Sequence, residues 1–337
     1  MLDTLLKKMV TDGVVPGISY AVISPNRTKQ HVIGMKQLTP EKLVLEPEAV
    51  YDIASLTKVI ATTTLILQHI EAGKIHLEDP VITFLPDFRY PEVTVLHLLT
   101  HSSGLAKNIP NYAIASKEDV YRYCIETPQA TPPGTDVTYA DANFLLLGYI
   151  LETLSGDLET LSGDLETQVQ TNVLAPLKMR ASSFNPDATN TFVPTELHPE
   201  RGLISGQVHD FKAWKMGGVA GHAGLFSNLP DLIRFTKGLL HEDSPLLKPE
   251  TITALQQNYT PNLNRSRGLG WDLVPARDHF AIYHTGFTGT FLVIDLEQKT
   301  ALIVLTNRVH PSRDNAEFLE RREHIVNQFM QDIGGRS

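Results

Sequence analysis

Cysteine is nearly absent from this chain, in which Cys124 is the only one among 337 residues. A single cysteine excludes an intrachain disulfide bond and any zinc site built from several thiolates. The residues around it, 121–125, are mostly apolar and belong to a short predicted helix. We therefore expect a buried, unreactive thiol rather than a redox or metal-binding group.

Clustered positive charge and long apolar runs are missing as well. The chain has 29 Lys and Arg residues against 38 Asp and Glu residues, a net charge of -9, which argues against a nucleic-acid partner. No apolar run is long enough to span a bilayer. Asp12, Gly13 and Pro16 interrupt the residues after Lys7 and Lys8, so no secretory signal peptide is predicted. The expected protein is globular, has no membrane span and lies in the cytoplasm.

Apolar periodicity and turn residues predict both helices and strands. Helices are predicted over 2–12, 55–72, 94–100, 141–154 and 314–333, and strands over 17–24, 268–273, 280–285, 289–296 and 301–306. The last four strands lie so close in sequence that they should pair antiparallel, because parallel neighbours need a longer crossover. The sequence thus predicts an α/β (α+β) fold, in which an antiparallel sheet from both chain ends is flanked by the N- and C-terminal helices. A sheet domain would comprise residues 1–75 and 216–337, with a mainly helical domain, 76–215, inserted in it.

A short tandem duplication interrupts the helical part. The seven residues 151–157 are repeated without change as 158–164, and such a repeat is too short for a solenoid. The second copy could lengthen the preceding helix by about 10 Å, at 1.5 Å per residue. It could instead leave the helix at Gly156 as a surface loop, which we favour because glycine ends a helix at low cost. A lengthened connection of this kind could also promote self-association through exchange of elements.

A serine and a lysine lie three residues apart where the second predicted helix begins. Residues i and i+3 share a helix face, so Lys58 can reach the hydroxyl of Ser55 and activate it as a nucleophile. The helix N-terminus would also offer backbone N–H groups to an oxyanion. Taken alone, the motif fits equally well an N-cap serine followed by an exposed lysine.

Two further signatures follow in a telling order, Tyr139-Ala-Asp141 and His284-Thr-Gly286. Alone, the first of them could be a loop tyrosine and the N-cap of the next helix. All three signatures, each at a predicted element boundary, match the set of serine β-lactamases and penicillin-binding proteins. The segments 97–104, 132–134, 147–148, 154–156, 221–227 and 305–308 add to this likeness. Nearly the whole chain therefore resembles the β-lactamase-like serine hydrolases, which include class C β-lactamases, low-molecular-mass penicillin-binding proteins and family VIII carboxylesterases.

The resemblance implies a β-lactamase/transpeptidase-like fold with the site in a cleft, and it implies roles for individual residues. Ser55 would be the acylated nucleophile, while Lys58 and Tyr139 would share the work of the general base, which needs a lowered pKa. The backbone N–H groups of Ser55 and Phe287 would form the oxyanion hole. The other residues expected at the substrate are Asp141, His284, Thr285 and Gly286.

Two departures from the family pattern bear on the substrate. Asp141 stands where asparagine is usual, and His284 stands where lysine is usual. A neutral histidine and an added carboxylate should both weaken recognition of substrate carboxylates. They favour an esterase-like hydrolase of small esters or amides over a penicillin-binding D,D-carboxypeptidase or a weak β-lactamase. A catalytically silent binding protein on the same scaffold is a further alternative, although the intact Ser55, Lys58 and Tyr139 set argues against it.

No cofactor or metal is predicted. His97 and His101 have the i, i+4 spacing of metal ligands on a helix, but no glutamate lies between them and no third ligand lies nearby, so we expect packed histidines. The glycine-rich run 217–221 follows no predicted strand and lacks the acidic residue of a dinucleotide site. His222 is expected to line the cleft without a catalytic role. The expected partner is a small-molecule ester, peptide or β-lactam substrate.

Overall fold

The computed structural model describes residues 1–154 and 164–334, and both ends of the chain contribute to one seven-stranded sheet. The strands are, in chain order, β1 (Gly17–Ser24), β2 (Arg27–Gln37), β3 (Leu43–Val44), β4 (Val50–Asp52), β5 (Phe192–Val193), β6 (Leu197–His198), β7 (Gly202–Leu203), β8 (Phe226–Ser227), β9 (Asp272–Ala276), β10 (His279–Thr285), β11 (Phe291–Asp295) and β12 (Thr300–Thr306). The large sheet has the order β3-β2-β1-β12-β11-β10-β9, and its neighbouring strands are antiparallel. A second sheet has the order β5-β4-β8, and β6 pairs with β7.

The two chain ends meet in the middle of the large sheet, where β1 pairs with β12. Ile18 lies opposite Thr306, and Ile23 lies opposite Ala301. Every residue of β11 and β12 is buried. These strands are nearly continuous apolar runs because both faces of the sheet are covered.

Ten α-helices lie in the part of the chain that the structure describes. They are α1 (Leu2–Thr11), α2 (Thr64–Glu71), α3 (Val95–Leu99), α4 (Lys117–Glu126), α5 (Asp141–Leu154), α6 (Leu165–Val169), α7 (Phe211–Lys215), α8 (Leu229–Leu240), α9 (Pro249–Ala254) and α10 (Glu317–Gly334). A π-helical turn over Lys58–Thr63 leads directly into α2. Among the described residues, none of the helices combines the length and the apolar character that crossing a membrane requires.

The terminal helices α1 and α10 cover one face of the sheet. Leu2, Leu6 and Met9 are spaced so that they share one side of α1, and this side packs in one core cluster with Phe318 and Phe329 of α10. The predicted antiparallel sheet with flanking terminal helices is thus confirmed. The division into a sheet domain and an inserted helical domain stays a prediction.

The opposite face of the sheet packs against the helices that carry the site. Ile294 and Ile303 of the sheet share a core cluster with Leu232 and Phe235 of α8 and with Leu65 of α2. Burial of this kind contributes about 1.5–3 kcal/mol for each large apolar side chain. It holds the helical segment after Ser55 against the sheet.

The predicted strand over 268–273 is wrong in its position, because β9 begins only at Asp272. The residues before it form a turn around Arg267, which is 1% exposed and donates hydrogen bonds to the Gly270 carbonyl (3.1 Å) and to Asp272 (2.5 Å). Gly270 has a φ of +80°, and a Cβ there would lie 2.1 Å from the Thr63 hydroxyl. The turn depends on a buried charge, which the local apolar pattern does not register.

The tandem duplication falls largely outside the described residues. Leu154 is the last residue of α5, and Asp164 caps α6 by accepting the N–H of Thr167 at 2.8 Å. Residues 155–163 lie outside the described part of the chain. The surface-loop placement of the second copy and its effect on self-association therefore stay predictions. Cys124 is buried, as expected, and burial raises the pKa of its thiol above the ordinary range.

Candidate active site

A tight turn before the π-helical segment carries Ser55, which is partly exposed. Ala54 adopts a left-handed conformation, with a φ of +48°, which is unusual for a residue with a side chain. The turn is closed by Thr57, whose N–H (3.0 Å) and hydroxyl (2.6 Å) both donate to the Ala54 carbonyl. One turn further on, the Lys58 Nζ lies 3.0 Å from the Ser55 Oγ. The contact predicted from the i, i+3 spacing is therefore present.

Lys58 is fully buried, and each of its three N–H donors has an acceptor. Its Nζ donates to the Ser55 Oγ (3.0 Å), the Asp141 Oδ1 (3.1 Å) and the His222 carbonyl (2.9 Å). Burial favours the neutral amine, but the interactions with Tyr139 and Asp141 outweigh it and raise the pKa of Lys58 above its ordinary value. The expected lowering of the lysine pKa is thus not found, and Lys58 carries a proton at neutral pH.

Asp141 begins α5 and is bound on both carboxylate oxygens. Lys58 contacts its Oδ1, and Lys212 of α7 contacts its Oδ2 at 3.3 Å. Burial raises the pKa of Asp141, but the nearby cationic groups, Lys58 first, outweigh it and hold the pKa well below the usual range. The same ion pair raises the pKa of Lys212 against the effect of burial. Nothing in the three sequence signatures pointed to Lys212.

Asp210 and His222 complete the charged layer behind the site. Asp210 caps α7 by accepting the N–H of Ala213 at 2.9 Å, and it accepts a hydrogen bond from the His222 Nε2 at 2.8 Å. The pKa of the Asp210 carboxyl is lowered well below its usual range, because its interactions with His222 and Lys212 outweigh the effect of burial. His222 therefore anchors Lys58 through its carbonyl and Asp210 through its ring.

Tyr139 is held in place by ring contacts. Its ring centroid lies 4.4 Å from that of His101, which is fully buried and contacts Asn143 at 3.0 Å through Nδ1. The Lys58 Nζ lies 5.0 Å from the centre of the tyrosine ring. His97 accepts the N–H of Thr94 at 3.1 Å and thereby helps to cap α3. His101 is packed as the sequence suggested, and His97 has a capping role that the sequence did not indicate.

His284 lies on β10 close to Tyr139, but it does not line the cavity described below. It is 1% exposed, and its Nδ1 donates to the Thr285 carbonyl at 3.1 Å. Its ring centroid is 6.2 Å from that of Tyr139 and 6.4 Å from that of Trp271. Burial lowers the pKa of His284 to about 3, so the ring is neutral, as expected. The ring is enclosed by neighbouring side chains in this structure, and its contact with the substrate stays a prediction.

The neutral state of His284 predicts a component of acid sensitivity. The unfolded chain takes up a proton on this histidine near pH 6.5, whereas the folded protein resists uptake until about pH 3. The contribution of His284 to the free energy of unfolding is therefore fully present above pH 6.5. It should fall by about 1.4 kcal/mol for each pH unit below pH 6.5. Urea unfolding from pH 7 to pH 4 should show a shallower loss for His284→Gln than for the wild type. Parallel curves would contradict the assignment.

A cavity of about 440 Å³ opens beside Ser55. It is lined by Ala54, Ser55, Tyr139, Asp141, His198, Arg201, His209, Asp210, Phe211, Ala223, Thr285, Phe287 and Arg313. The structure thus brings together five of the residues that the sequence placed at the site, with Lys58 buried beneath them. His284 and Gly286 are not part of the lining.

The end of β10 approaches the Ser55 turn closely, and Gly286 makes this possible. A Cβ on Gly286 would lie 2.5 Å from the Ile53 carbonyl, and the N–H of Gly286 donates to the Thr290 carbonyl at 2.7 Å. The Thr290 hydroxyl in turn donates to Ile53 at 3.1 Å. The backbone N–H groups of Ser55 and Phe287 have no hydrogen-bond partner within residues 1–154 and 164–334. Two free donors at this edge are what an oxyanion hole requires.

Arginine side chains on the far side of the cavity were not predicted. Arg201 donates to the carbonyls of Val208 (2.7 Å) and His209 (3.2 Å), and its guanidinium lies 4.6 Å from a ring centre of Trp214. It makes no salt bridge with any carboxylate of the described chain. Arg313, by contrast, is paired with Glu196, with contacts from 2.6 to 3.1 Å. Arg201 follows β6 in a loop, and no sequence motif marks it.

Known proteins share this architecture. The profile of the family described as Beta-lactamase matches residues 2–325. A relative from Salmonella agona (strain SL483), named "Putative D-alanyl-D-alanine carboxypeptidase", is 28% identical over 92% of this chain and 82% of its own length. The octameric penicillin-binding protein homologue from Pyrococcus abyssi superposes with a TM-score of 0.77 at 23% identity, over 97% of this chain and 77% of its own. A class C β-lactamase superposes with a TM-score of 0.78 at 17% identity, over 100% of this chain and 96% of its own. The chain therefore belongs to the β-lactamase family, and it is a serine hydrolase.

Proposed function

We propose that the chain hydrolyses small esters and amides through an acyl-enzyme on Ser55. The contact that carries this proposal is the 3.0 Å hydrogen bond between the Lys58 Nζ and the Ser55 Oγ. Ser55 attacks the substrate carbonyl, and the free N–H groups of Ser55 and Phe287 receive the developing oxyanion. The leaving group departs with a proton, and water then hydrolyses the ester on Ser55.

The proton of Ser55 passes through Tyr139 in this mechanism. Because Lys58 already carries a proton at neutral pH, it cannot accept another. Tyr139 lines the same cavity as Ser55, and the centre of its ring lies 5.0 Å from the Lys58 Nζ. In the reactive form Tyr139 is the phenolate, which accepts the proton of Ser55 during attack and, as the phenol, returns it to the leaving oxygen or nitrogen, while the Lys58 ammonium stabilises the negative charge on the oxygens of Tyr139 and Ser55.

The first candidate substrate class is a peptide that ends in a free carboxylate, such as D-alanyl-D-alanine. The observation that supports it is Arg201, a guanidinium in the cavity wall without a carboxylate partner in the described chain. The sequence argument against carboxylates relied on His284 and on Asp141. His284 is buried away from the cavity, whereas Asp141 lines it with its charge paired to Lys58 and Lys212. The name of the Salmonella agona relative points to the same class.

Neutral short-chain esters are the second candidate. Two phenylalanines at the cavity, Phe211 and Phe287, are 50% and 47% exposed, and they would cover an apolar acyl group. The carboxylates of Asp141 and Asp210 in the same wall disfavour anions close to them. This arrangement agrees with the esterase-like activity that the sequence favoured.

Covalent labelling tests the proposal. Brief incubation with a penicillin or a slowly hydrolysed nitrophenyl ester should add the acyl group to the peptide that contains Ser55, as seen by mass spectrometry. Ser55→Ala should show no adduct, and Ser24→Ala, at the end of β1 and outside the cavity lining, should be labelled as the wild type is. Labelling of another serine, or no labelling by any substrate, would instead favour the silent binding protein.

A further inference from the structure

Lys212 holds the one acidic residue that distinguishes this site from the usual family signature. Its ammonium lies 3.3 Å from the Asp141 Oδ2, while Lys58 occupies the Oδ1 at 3.1 Å. The Lys212 side chain is 20% exposed, and it belongs to α7, whose first turn Asp210 caps. Lys212 is therefore largely buried, and it makes an ion pair with Asp141, the carboxylate that also binds Lys58.

Asp210 and His222, the other polar groups close to Asp141, are hydrogen-bonded to each other. Asp210 accepts hydrogen bonds from His222 and from the first turn of α7. His222 faces Asp141 as well, but its Nε2 is engaged by Asp210. Lys212 also faces Asp210 and Tyr123, whose ring centre is 5.8 Å from the ammonium. Asp141 is thus the only carboxylate within ion-pair distance of Lys212 in the part of the chain that the structure describes.

We propose that Lys212 is a positioning residue for acyl transfer, which neutralises Asp141 so that Lys58 remains available to Ser55. This inference rests on the proposed acyl-enzyme chemistry at Ser55. An asparagine amide at position 141 would accept a hydrogen bond from Lys58 without a net charge. Asp141 and Lys212 together also accept a hydrogen bond from Lys58 without a net charge, because the negative charge of the carboxylate and the positive charge of the ammonium cancel.

The two halves of the pair therefore act on the site with opposite signs. Without Lys212, the uncompensated carboxylate of Asp141 attracts the Lys58 ammonium and stabilises its proton. With Asp141→Asn, the positive charge of Lys212 is left uncompensated, and it destabilises that proton. Loss of a proton from either Lys58 or Tyr139 makes the pair less positive, so both respond to these charges in the same direction.

The pH dependence of kcat/KM for a nitrophenyl ester tests this. Lys212→Met should move the acid limb up by about one pH unit, and Asp141→Asn should move it down by about one unit. At pH values well below the apparent pKa of the acid limb, a shift of that pKa by one unit changes kcat/KM about tenfold. The double variant should return to the pH profile of the wild type. Lys215→Met, in the same helix but without a contact to Asp141, is the matched control, and its profile should not move.

Thermal unfolding supplies a second readout that does not need activity. Lys212→Met should melt at a lower temperature than the double variant, because only the single variant leaves a half-buried carboxylate with a lost partner. Shifts of the two single variants in the same direction, or a double variant that is worse than both, would overturn the inference. Mass spectrometry of the wild type separates the cases, since a missing Ser55 adduct refutes the acyl-enzyme itself, whereas a normal adduct with unmoved profiles refutes only the role of Lys212.

Discussion

Ser55→Ala, Lys58→Met and the double variant are each expected to lose ester hydrolysis to a similar extent, by about 10⁴-fold or more. When two residues act as one unit, the effects of their substitutions on the rate do not add, because removal of either residue disables the whole step. Lys58 is fully buried and donates to Ser55, Asp141 and His222, so its removal leaves Ser55 without this hydrogen-bond partner. Lys58→Arg should not restore activity, since a planar guanidinium cannot reproduce three diverging donors around one nitrogen.

The measurement is the initial rate of nitrophenyl ester hydrolysis, with melting curves to show that each variant is folded. Lys117→Met, a surface change at a side chain that is 54% exposed, serves as the control and should retain the wild-type rate. A Lys58→Met protein that is folded and keeps a tenth or more of the activity would remove Lys58 from the mechanism. A double variant far below both single variants would show that the two residues act independently.

Arg201→Met is expected to lower kcat/KM about 10- to 100-fold for a D-alanyl-D-alanine peptide with a free carboxylate. This is the effect of losing one charge-assisted hydrogen bond, about 1.5–3 kcal/mol. The same peptide with an amidated C-terminus should change by less than about threefold, because it presents no negative charge to the guanidinium. Arg201→Lys should keep part of the selectivity, since the charge remains while the paired donors are lost.

The comparison of free acid with amide isolates charge recognition from general damage to the site. Arg234→Met removes a guanidinium on α8 that is paired with Asp231 at 2.7 Å and lies outside the cavity lining. It should leave the ratio of the two substrates unchanged. An equal loss on both peptides in Arg201→Met would assign Arg201 to the packing of the loop that it braces through Val208 and His209.

Local patterns predicted much of the fold. The strand Gly17–Ser24 was predicted with the bounds that the structure has, and the helix over 141–154 was also predicted with its observed bounds. Periodicity succeeds for such elements because one side of each must be buried. It failed at residues 268–273, where the buried Arg267 organises a turn ahead of β9.

The sequence by itself indicated the family through the resemblance of its three signatures. It also predicted the antiparallel strands and the contact between Ser55 and Lys58, because periodicity and i, i+3 spacing are local properties. Only the tertiary structure decided that Lys212 reaches Asp141, that Arg201 lines the cavity and that His284 is enclosed. Each of these depends on segments far apart in the chain that packing brings together, and no short-range pattern encodes such a contact. The charge balance of the site is therefore a property of the folded chain.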